Sequence, residues 1–176
     1  FNSRMKTILR TYQFELQPTQ EQKVLLDKHF GCIRYVYNYF LNQRKEQYQA
    51  DKKSDNYYKQ AATLTELKKK DETAWLKEVN SQSLQFALRC LDTAYVNFFR
   101  GNTKFPRFKS KKKKNSFTVP QFAKLEDGKF YAPKFKEGIK VNVHREVIGE
   151  IGKCTLSKTP TGKYFVSILS EEQYKP

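Results

Sequence analysis

Lys6-Thr7-Ile8-Leu9-Arg10-Thr11-Tyr12-Gln13-Phe14-Glu15-Leu16-Gln17-Pro18-Thr19-Gln20-Glu21-Gln22 changes its period part-way along. Ile8, Tyr12, Phe14 and Leu16 fall on one face of an alternating run, with Thr11, Gln13 and Glu15 on the other. That alternation predicts a strand over residues 6–16, with Arg10 interrupting its apolar face. Pro18 then ends the alternation, and Thr19 and Gln22 have capping-box spacing, with Glu21 in the first turn where the helix dipole favours an anion. A helix therefore starts directly after a single strand. The pattern stays helical to about residue 102, passes through a basic stretch, and turns strand-like from about residue 117.

Within the helical stretch, Val24, Leu25, Ile33, Val36, Tyr37, Phe40 and Leu41 recur near helical spacing. Gly31 weakens the middle, so either one long helix or two short ones fit. Ser54-Asp55 is the expected cap of a second helix, with Tyr58, Ala61, Leu64 and Leu67 on one side. A third helix carries Leu84, Leu88, Leu91, Tyr95 and Phe98 at intervals of three or four, starts at Asn80 or Ser81, and is followed by Gly101. Its opposite face aligns Gln82, Gln85 and Arg89 in a polar stripe.

Beyond residue 117 the signals are those of short strands. Asp127-Gly128 predicts a hairpin turn. Ile139, Val141 and Val143 alternate with Lys140, Asn142 and His144; Cys154 and Leu156 alternate with polar neighbours; Pro160 to Gly162 turns the chain into Tyr164, Val166 and Ile168. One strand before the helices and several after them predict an α+β fold. Its expected form is a small oligonucleotide-binding-like β-barrel with a helical bundle inserted after the first strand.

The bulk numbers narrow the function. Lys plus Arg is 34 against 18 Asp plus Glu in 176 residues, a formal net charge of +16. Such a surface attracts polyanions, nucleic acid first and an acidic membrane surface second. Aromatics at 15% argue against disorder. No apolar run approaches the roughly 20 residues of a spanning helix, so no membrane partner is expected. Cys32, Cys90 and Cys154 are odd in number and far apart, which predicts free thiols in a reducing, cytoplasmic setting. No signal peptide is expected, and Phe1-Asn2-Ser3-Arg4 ahead of Met5 reads as vector-derived sequence.

The charge is concentrated. From Arg100 to Lys114, 8 of 15 residues are basic and none is acidic, with aromatics interleaved at Phe105 and Phe108. A solvated loop and a phosphate-tracking segment both fit; packing is the expected job of the two rings.

Catalytic signals are weak. Asp71-Glu72 and Glu126-Asp127 are adjacent pairs in expected loops or turns, and chain neighbours rarely face one site. His29 and Cys32 share a helical spacing but lack further ligands, so a core cysteine and a surface histidine are expected. His144 is expected on the polar side of a strand with no nucleophile near it. No phosphate-binding glycine loop occurs. The residues favour binding over catalysis.

Five segments in order carry a family resemblance: Phe30-Gly31-Cys32-Ile33-Arg34-Tyr35-Val36-Tyr37-Asn38; Leu64-Thr65-Glu66-Leu67-Lys68 followed by Trp75-Leu76-Lys77-Glu78-Val79; Ser81-Gln82-Ser83-Leu84-Gln85; Ala94-Tyr95-Val96-Asn97-Phe98-Phe99-Arg100; and Phe105-Pro106-Arg107-Phe108-Lys109-Ser110-Lys111. Their order and wording resemble the N-terminal half of the TnpB (OrfB) proteins of insertion sequences, RNA-guided DNA endonucleases related to type V CRISPR effectors. The resemblance covers essentially Met5 to Pro176.

It implies a wedge barrel whose first strand lies in residues 5–17, a helical recognition domain in residues 18–102, and a basic connector with the remaining barrel in residues 103–176. In the family these regions hold a guide RNA and double-stranded target DNA and read a short motif beside the target. The RuvC-like nuclease, with its carboxylates, Mg and a Cys-x-x-Cys Zn element, would come after Pro176. The resemblance therefore implies no cofactor and no cleavage within residues 1–176.

Residue by residue, it implies motif readout by Tyr57, by Ser81, Gln82 and Gln85, and by Gln121 beside Phe122. Ser81 and Gln82 depart from the Lys and Phe of some relatives, which implies a different motif. A Gln85 amide suits bidentate pairing with an adenine edge. Nucleic-acid backbone contacts are expected from Lys68, Lys69, Lys70, Arg89, Arg107, Lys109, Lys111, Lys112, Lys113 and Lys114. Trp75, Leu84, Leu88, Tyr95 and Phe98 are expected in the core. A second reading is a naturally truncated product that binds the same nucleic acids and competes with or regulates a full-length nuclease. Oligomeric state is left open by the sequence.

Overall fold

The computed structural model describes residues 4–51 and 53–176; Phe1-Asn2-Ser3 of the expected vector-derived segment lie outside the described residues. The chain is α+β. One strand, β1 (Lys6–Gln17), precedes the helices α1 (Gln20–Asp51), α2 (Tyr57–Lys69), a 3-10 helix (Asp71–Glu78) and α3 (Ser81–Phe99). Six strands come after them: β2 (Asn115–Val119), β3 (Lys124–Glu126), β4 (Lys129–Ala132), β5 (Phe135–Val141), β6 (Glu150–Lys158) and β7 (Tyr164–Tyr174). Two compact units result, residues 1–26 with 114–176, and residues 27–113.

The first unit is one antiparallel sheet in the order β2-β6-β7-β1-β5-β4-β3. β1 pairs with β7 from Lys6 to Leu16, and with β5 at Leu16 and Gln17. Among the described residues no ladder joins β2 to β3. Tyr12, Phe14 and Leu16 are buried with Val166, Ile168, Leu156, Phe117, Phe130 and Ile139 from the other strands. Burying each such side chain contributes about 1.5–3 kcal/mol, which fixes the register of β1, because a one-residue slip would send the whole set to solvent.

Arg10 lies on the same face as Tyr12, Phe14 and Leu16, towards the end of the strand where that face is exposed, and pairs with Glu172 at 3.5 Å. Asp127 and Gly128 both take positive φ (51° and 72°) and close the β3–β4 hairpin as expected. β5 stops at Val141, where the backbone N–H of Asn142 turns to Glu15. Val143 is therefore 40% exposed. His144, expected on a strand, lies beyond it and packs edge-on against Phe14, centroids 5.1 Å apart.

Thr19 and Gln22 form the capping box: the Gln22 N–H donates to Thr19 Oγ1 at 3.2 Å, and the Thr19 N–H donates to Gln22 Oε1 at 3.0 Å. α1 is a single helix of 32 residues, so Gly31 does not divide it.

In the helical unit, Asn56 caps α2 by accepting from the Lys59 N–H at 3.0 Å, in place of the expected Ser54-Asp55. The face α2 buries is Gln60, Leu64 and Leu67, while Tyr58 is 78% exposed. A polar network crosses this core. Buried Arg44 donates through Nε to Gln60 Oε1 and through a terminal nitrogen to Asp92 Oδ1, both at 2.8 Å. Gln60 Nε2 returns to the Phe40 carbonyl at 3.1 Å, and the Arg44 guanidinium lies 5.1 Å from the Tyr95 ring centre. α1, α2 and α3 are thus keyed together by satisfied polar groups as well as by leucines.

Asn80 caps α3 by accepting from the Gln82 N–H at 3.2 Å, and Gly101 comes after its last turn with φ 76°. His29, expected on the surface, is fully buried, and its Nε2 accepts from the Asn80 N–H at 3.2 Å. Asp71-Glu72, expected in a loop, opens the 3-10 helix. Trp75, expected in the core, is 39% exposed.

Candidate nucleic-acid interface

Leu84, Leu88, Leu91 and Tyr95 turn one side of α3 inward, so Ser81, Gln85 and Arg89 are left exposed on the other. Gln85 stands one turn before Arg89. Tyr57 is the first residue of α2, and the Arg89 guanidinium lies 4.8 Å from its ring centre. A hydrogen bond to Tyr57 raises the Arg89 pKa. Tyr58 packs edge-on against Tyr57 at 5.3 Å. Tyr57 and Arg89, expected in separate roles, therefore form one unit beside Gln85. Gln82 is half-buried, and its Oε1 is enclosed without a hydrogen-bond partner.

The basic segment is held to the helical unit at defined points. Phe105 packs edge-on against Phe98 at 5.2 Å and Tyr95 at 5.5 Å, which is the expected packing role. Phe108 departs from it: the ring is 47% exposed, with Lys45 Nζ 5.9 Å from its centre. Asn38 clamps the backbone of Lys109 from both sides. Its Oδ1 accepts from the Lys109 N–H at 2.7 Å, and its Nδ2 donates to the Lys109 carbonyl at 3.0 Å. The Lys109 ammonium lies 4.5 Å from the Tyr37 ring centre. Arg107, Lys111, Lys112, Lys113 and Lys114 are exposed, and Ser110 shapes the lysine turn by accepting from the Lys112 N–H at 3.3 Å.

The α2 lysines differ from one another. Lys68 is half-buried, and burial lowers its pKa. Lys69 is paired with Glu66 at 3.1 Å in solvent, where such pairs contribute little. Lys70 is exposed at the helix end. Gln121 belongs to the sheet unit, exposed in the bend after β2, next to Phe122 with φ 68° and 75% exposure.

Sequence reasoning missed Asn38, Lys45 and Arg145. Arg145 covers Tyr12 at 4.5 Å and donates to the Thr11 carbonyl at 3.3 Å. Apart from Asn38's place at the end of the first resemblance segment, the only signal for these residues is their type, because each partner is distant in sequence. Among the described residues no three of His, Cys, Asp and Glu converge as metal ligands, and no helix is long and apolar enough to cross a membrane.

Comparison with known proteins gives the context of this surface. The OrfB IS605 family profile, described as a helix-turn-helix domain, matches residues 5–53. In this chain that region is a strand with one continuous helix after it, so the description does not fit the geometry. A Streptomyces pristinaespiralis protein provisionally named an RNA-guided DNA endonuclease is 36% identical over 177 residues, covering 98% of this chain and 44% of that protein. InsQ of Escherichia coli K12, with the same provisional description, is 35% identical over 167 residues, covering 94% and 41%. The virulence protein VsdF of Salmonella dublin is 36% identical over 113 residues, 59% of this chain and 95% of VsdF.

These similarities place the α+β chain among proteins borne by insertion sequences. The chain belongs to the TnpB (OrfB) family and corresponds to its N-terminal part. It spans less than half the length of the two endonuclease-named relatives.

Proposed function

We propose that this chain is the nucleic-acid-binding lobe of a TnpB-like RNA-guided DNA endonuclease. It grips guide RNA and reads the duplex motif beside the target, and cleavage chemistry, with its Mg and Zn, belongs to a nuclease half outside these residues. In this reading residues 18–102 act as the recognition domain, and residues 5–17 and 103–176 as the wedge. Gln85, Tyr57, Ser81, Gln82 and Gln121 meet base edges, while Arg107, Lys109 and Lys111 to Lys114 meet phosphates. Arg89 and Lys70 add phosphate contacts, with Lys68 and Lys69 playing a smaller part because one is half-buried and the other paired.

The observation that carries the reading is the exposed basic segment held by the Asn38 clamp and the Phe105 anchor. A segment ordered before binding loses less entropy when phosphates arrive.

The test is affinity for duplex DNA and structured RNA across a salt series. Each phosphate contact contributes about −0.9 to the log–log slope on duplex, so converting Lys111, Lys112, Lys113 and Lys114 to Gln should flatten it by about 3 to 4. An unchanged slope refutes the assignment. Gln85→Ala should cost roughly 1–3 kcal/mol on one duplex motif only, and equal loss on scrambled DNA refutes readout.

A second reading is favoured by one observation. VsdF aligns over 95% of its own length, so the family includes a short protein matched almost entirely within this lobe. A free-standing lobe would bind the same nucleic acids and compete with a full-length nuclease.

A further inference from the structure

The helical unit carries an apolar cleft of about 710 Å³ between α1 and the 3-10 helix. Its walls include Tyr35, Tyr39 and Trp75, with Lys28 and Glu78 bridged at 2.6 Å and Asn38 beside them. Tyr35 and Tyr39 are one turn apart on α1 and nearly parallel, centroids 5.9 Å apart at 26°. Trp75 meets Tyr35 edge-on at 5.0 Å, and its indole N–H is fixed on the Glu72 carbonyl at 3.0 Å. Tyr39 and Trp75 remain 38% and 39% exposed. The cleft's volume lies in the range of ligand pockets, roughly 300–1,000 Å³.

We infer that this cleft seats an unpaired nucleobase of a single strand whose phosphates run along the basic segment. The inference rests on the proposed function and names the ligand class of that surface more closely. Three observations support it. The exposed rings offer π-faces, which any base can stack on regardless of sequence. Asn38 belongs to the cleft and also clamps Lys109, so the stacking walls and the cationic track are continuous through one side chain. The Lys28–Glu78 pair neutralises its own charges and Arg34 adds a cation to the lining, so the aromatic cleft and the adjoining basic segment both suit a phosphate-bearing strand. A stacking platform beside a phosphate track is how proteins grip single strands without reading them. Duplex DNA keeps its bases stacked inside and would leave the cleft empty.

Trp75 is the only tryptophan of the chain, so its fluorescence reports on this cleft alone. The full chain is titrated with a short oligoadenylate RNA, its DNA counterpart, and an abasic strand of equal length. Total binding is read by anisotropy of a terminal dye. The base-bearing strands should quench Trp75, and the abasic strand should bind through the basic segment without quenching. Quenching by RNA alone supports the inference and assigns the base to RNA; quenching by both supports a base from either source.

Tyr39→Leu, which keeps apolar volume but removes the ring, should weaken the base-bearing strands by about tenfold, the size of one lost stack, and leave the abasic strand unchanged. Tyr39→Phe should restore the affinity. Quenching by the abasic strand equal to that by the others overturns the inference. So does binding of base-bearing strands with neither quenching nor sensitivity to Tyr39→Leu, which leaves the basic-segment reading intact. Failure of every strand to bind removes both.

Discussion

Replacing Asn38 by Ala removes two hydrogen bonds, to the Lys109 N–H at 2.7 Å and to its carbonyl at 3.0 Å. Both backbone groups are exposed, so water takes over. The net loss then sits at the low end for a hydrogen bond, about 0.5–1 kcal/mol each and about 1–2 kcal/mol together. Phe105 still anchors the upstream end, and the Lys109–Tyr37 contact at 4.5 Å remains available. The loss is therefore local. At 1.4 kcal/mol per factor of ten, the Lys109 amide should exchange with deuterium about tenfold faster. The Leu88 amide, in the middle of α3, should not change. Residue-resolved hydrogen exchange reads both. Nucleic-acid affinity should fall by no more than the same tenfold, since the variant only defers the ordering cost to the binding step. An unaltered Lys109 rate would mean the clamp does not order the segment. Equal acceleration at Leu88 would mean Asn38 supports the whole unit. An affinity loss well beyond tenfold would mean Asn38 touches the ligand itself.

The core and the sheet give further tests. Arg44→Met leaves Gln60 and Asp92 without their shared donor, and should cost about 3 kcal/mol in urea unfolding; Asp92→Asn keeps an acceptor and should cost clearly less. Burial pushes the thiol of Cys154 up to about 12 and that of Cys32 up to about 11, whereas Cys90 is exposed. A thiol reagent at mildly alkaline pH should therefore label Cys90 in the native protein and the other two only on unfolding. Both buried thiols hold their protons more tightly folded than unfolded. Their contribution to stability is thus full below the ordinary thiol value and is lost as pH rises towards 11–12, and Cys154→Ala should remove part of that slope. Gly149→Ala should lower the thermal midpoint, because φ is 94° and an added Cβ would come 2.4 Å from the Glu171 carbonyl oxygen; an unchanged midpoint would mean the β6–β7 edge yields freely.

The features legible in the sequence were local ones. The capping box of Thr19 and Gln22, the Asp127-Gly128 turn and the alternation of β1 each depend on neighbours within a few residues. All three formed as expected. The failures share a cause, which is a partner far along the chain. Ser54, Asp55 and Asn56 are equally good caps by type. The choice of Asn56 goes with the face α2 turns inward, and that face is set by Gln60 meeting Arg44, sixteen residues away. Periodicity placed Tyr58 inside because it counts apolar residues; a buried glutamine bonded to a buried arginine is invisible to it. His29 reads as a surface residue until Asn80 is brought against it.

The interface divides the same way. Its charge was legible, since a run such as Lys111 to Lys114 is exposed in almost any fold. Its geometry was not. The resemblance implies Tyr57 for bases, and Arg89 is expected at phosphates, as two separate roles, yet the folded chain sets the Arg89 guanidinium over the Tyr57 ring. An arginine already spending a donor on Tyr57 has fewer directions left for a phosphate. A tyrosine covered on one face by that arginine and met edge-on by Tyr58 presents a restricted surface to DNA. In the proposed readout Tyr57 would meet DNA in an orientation held by Arg89, because the two side chains form one unit next to Gln85. The same holds at Asn38: its value lies in joining α1 to the Lys109 backbone 71 residues on. Residue type shows that a surface binds polyanions, whereas the pairings between distant residues decide where phosphates and bases have to lie.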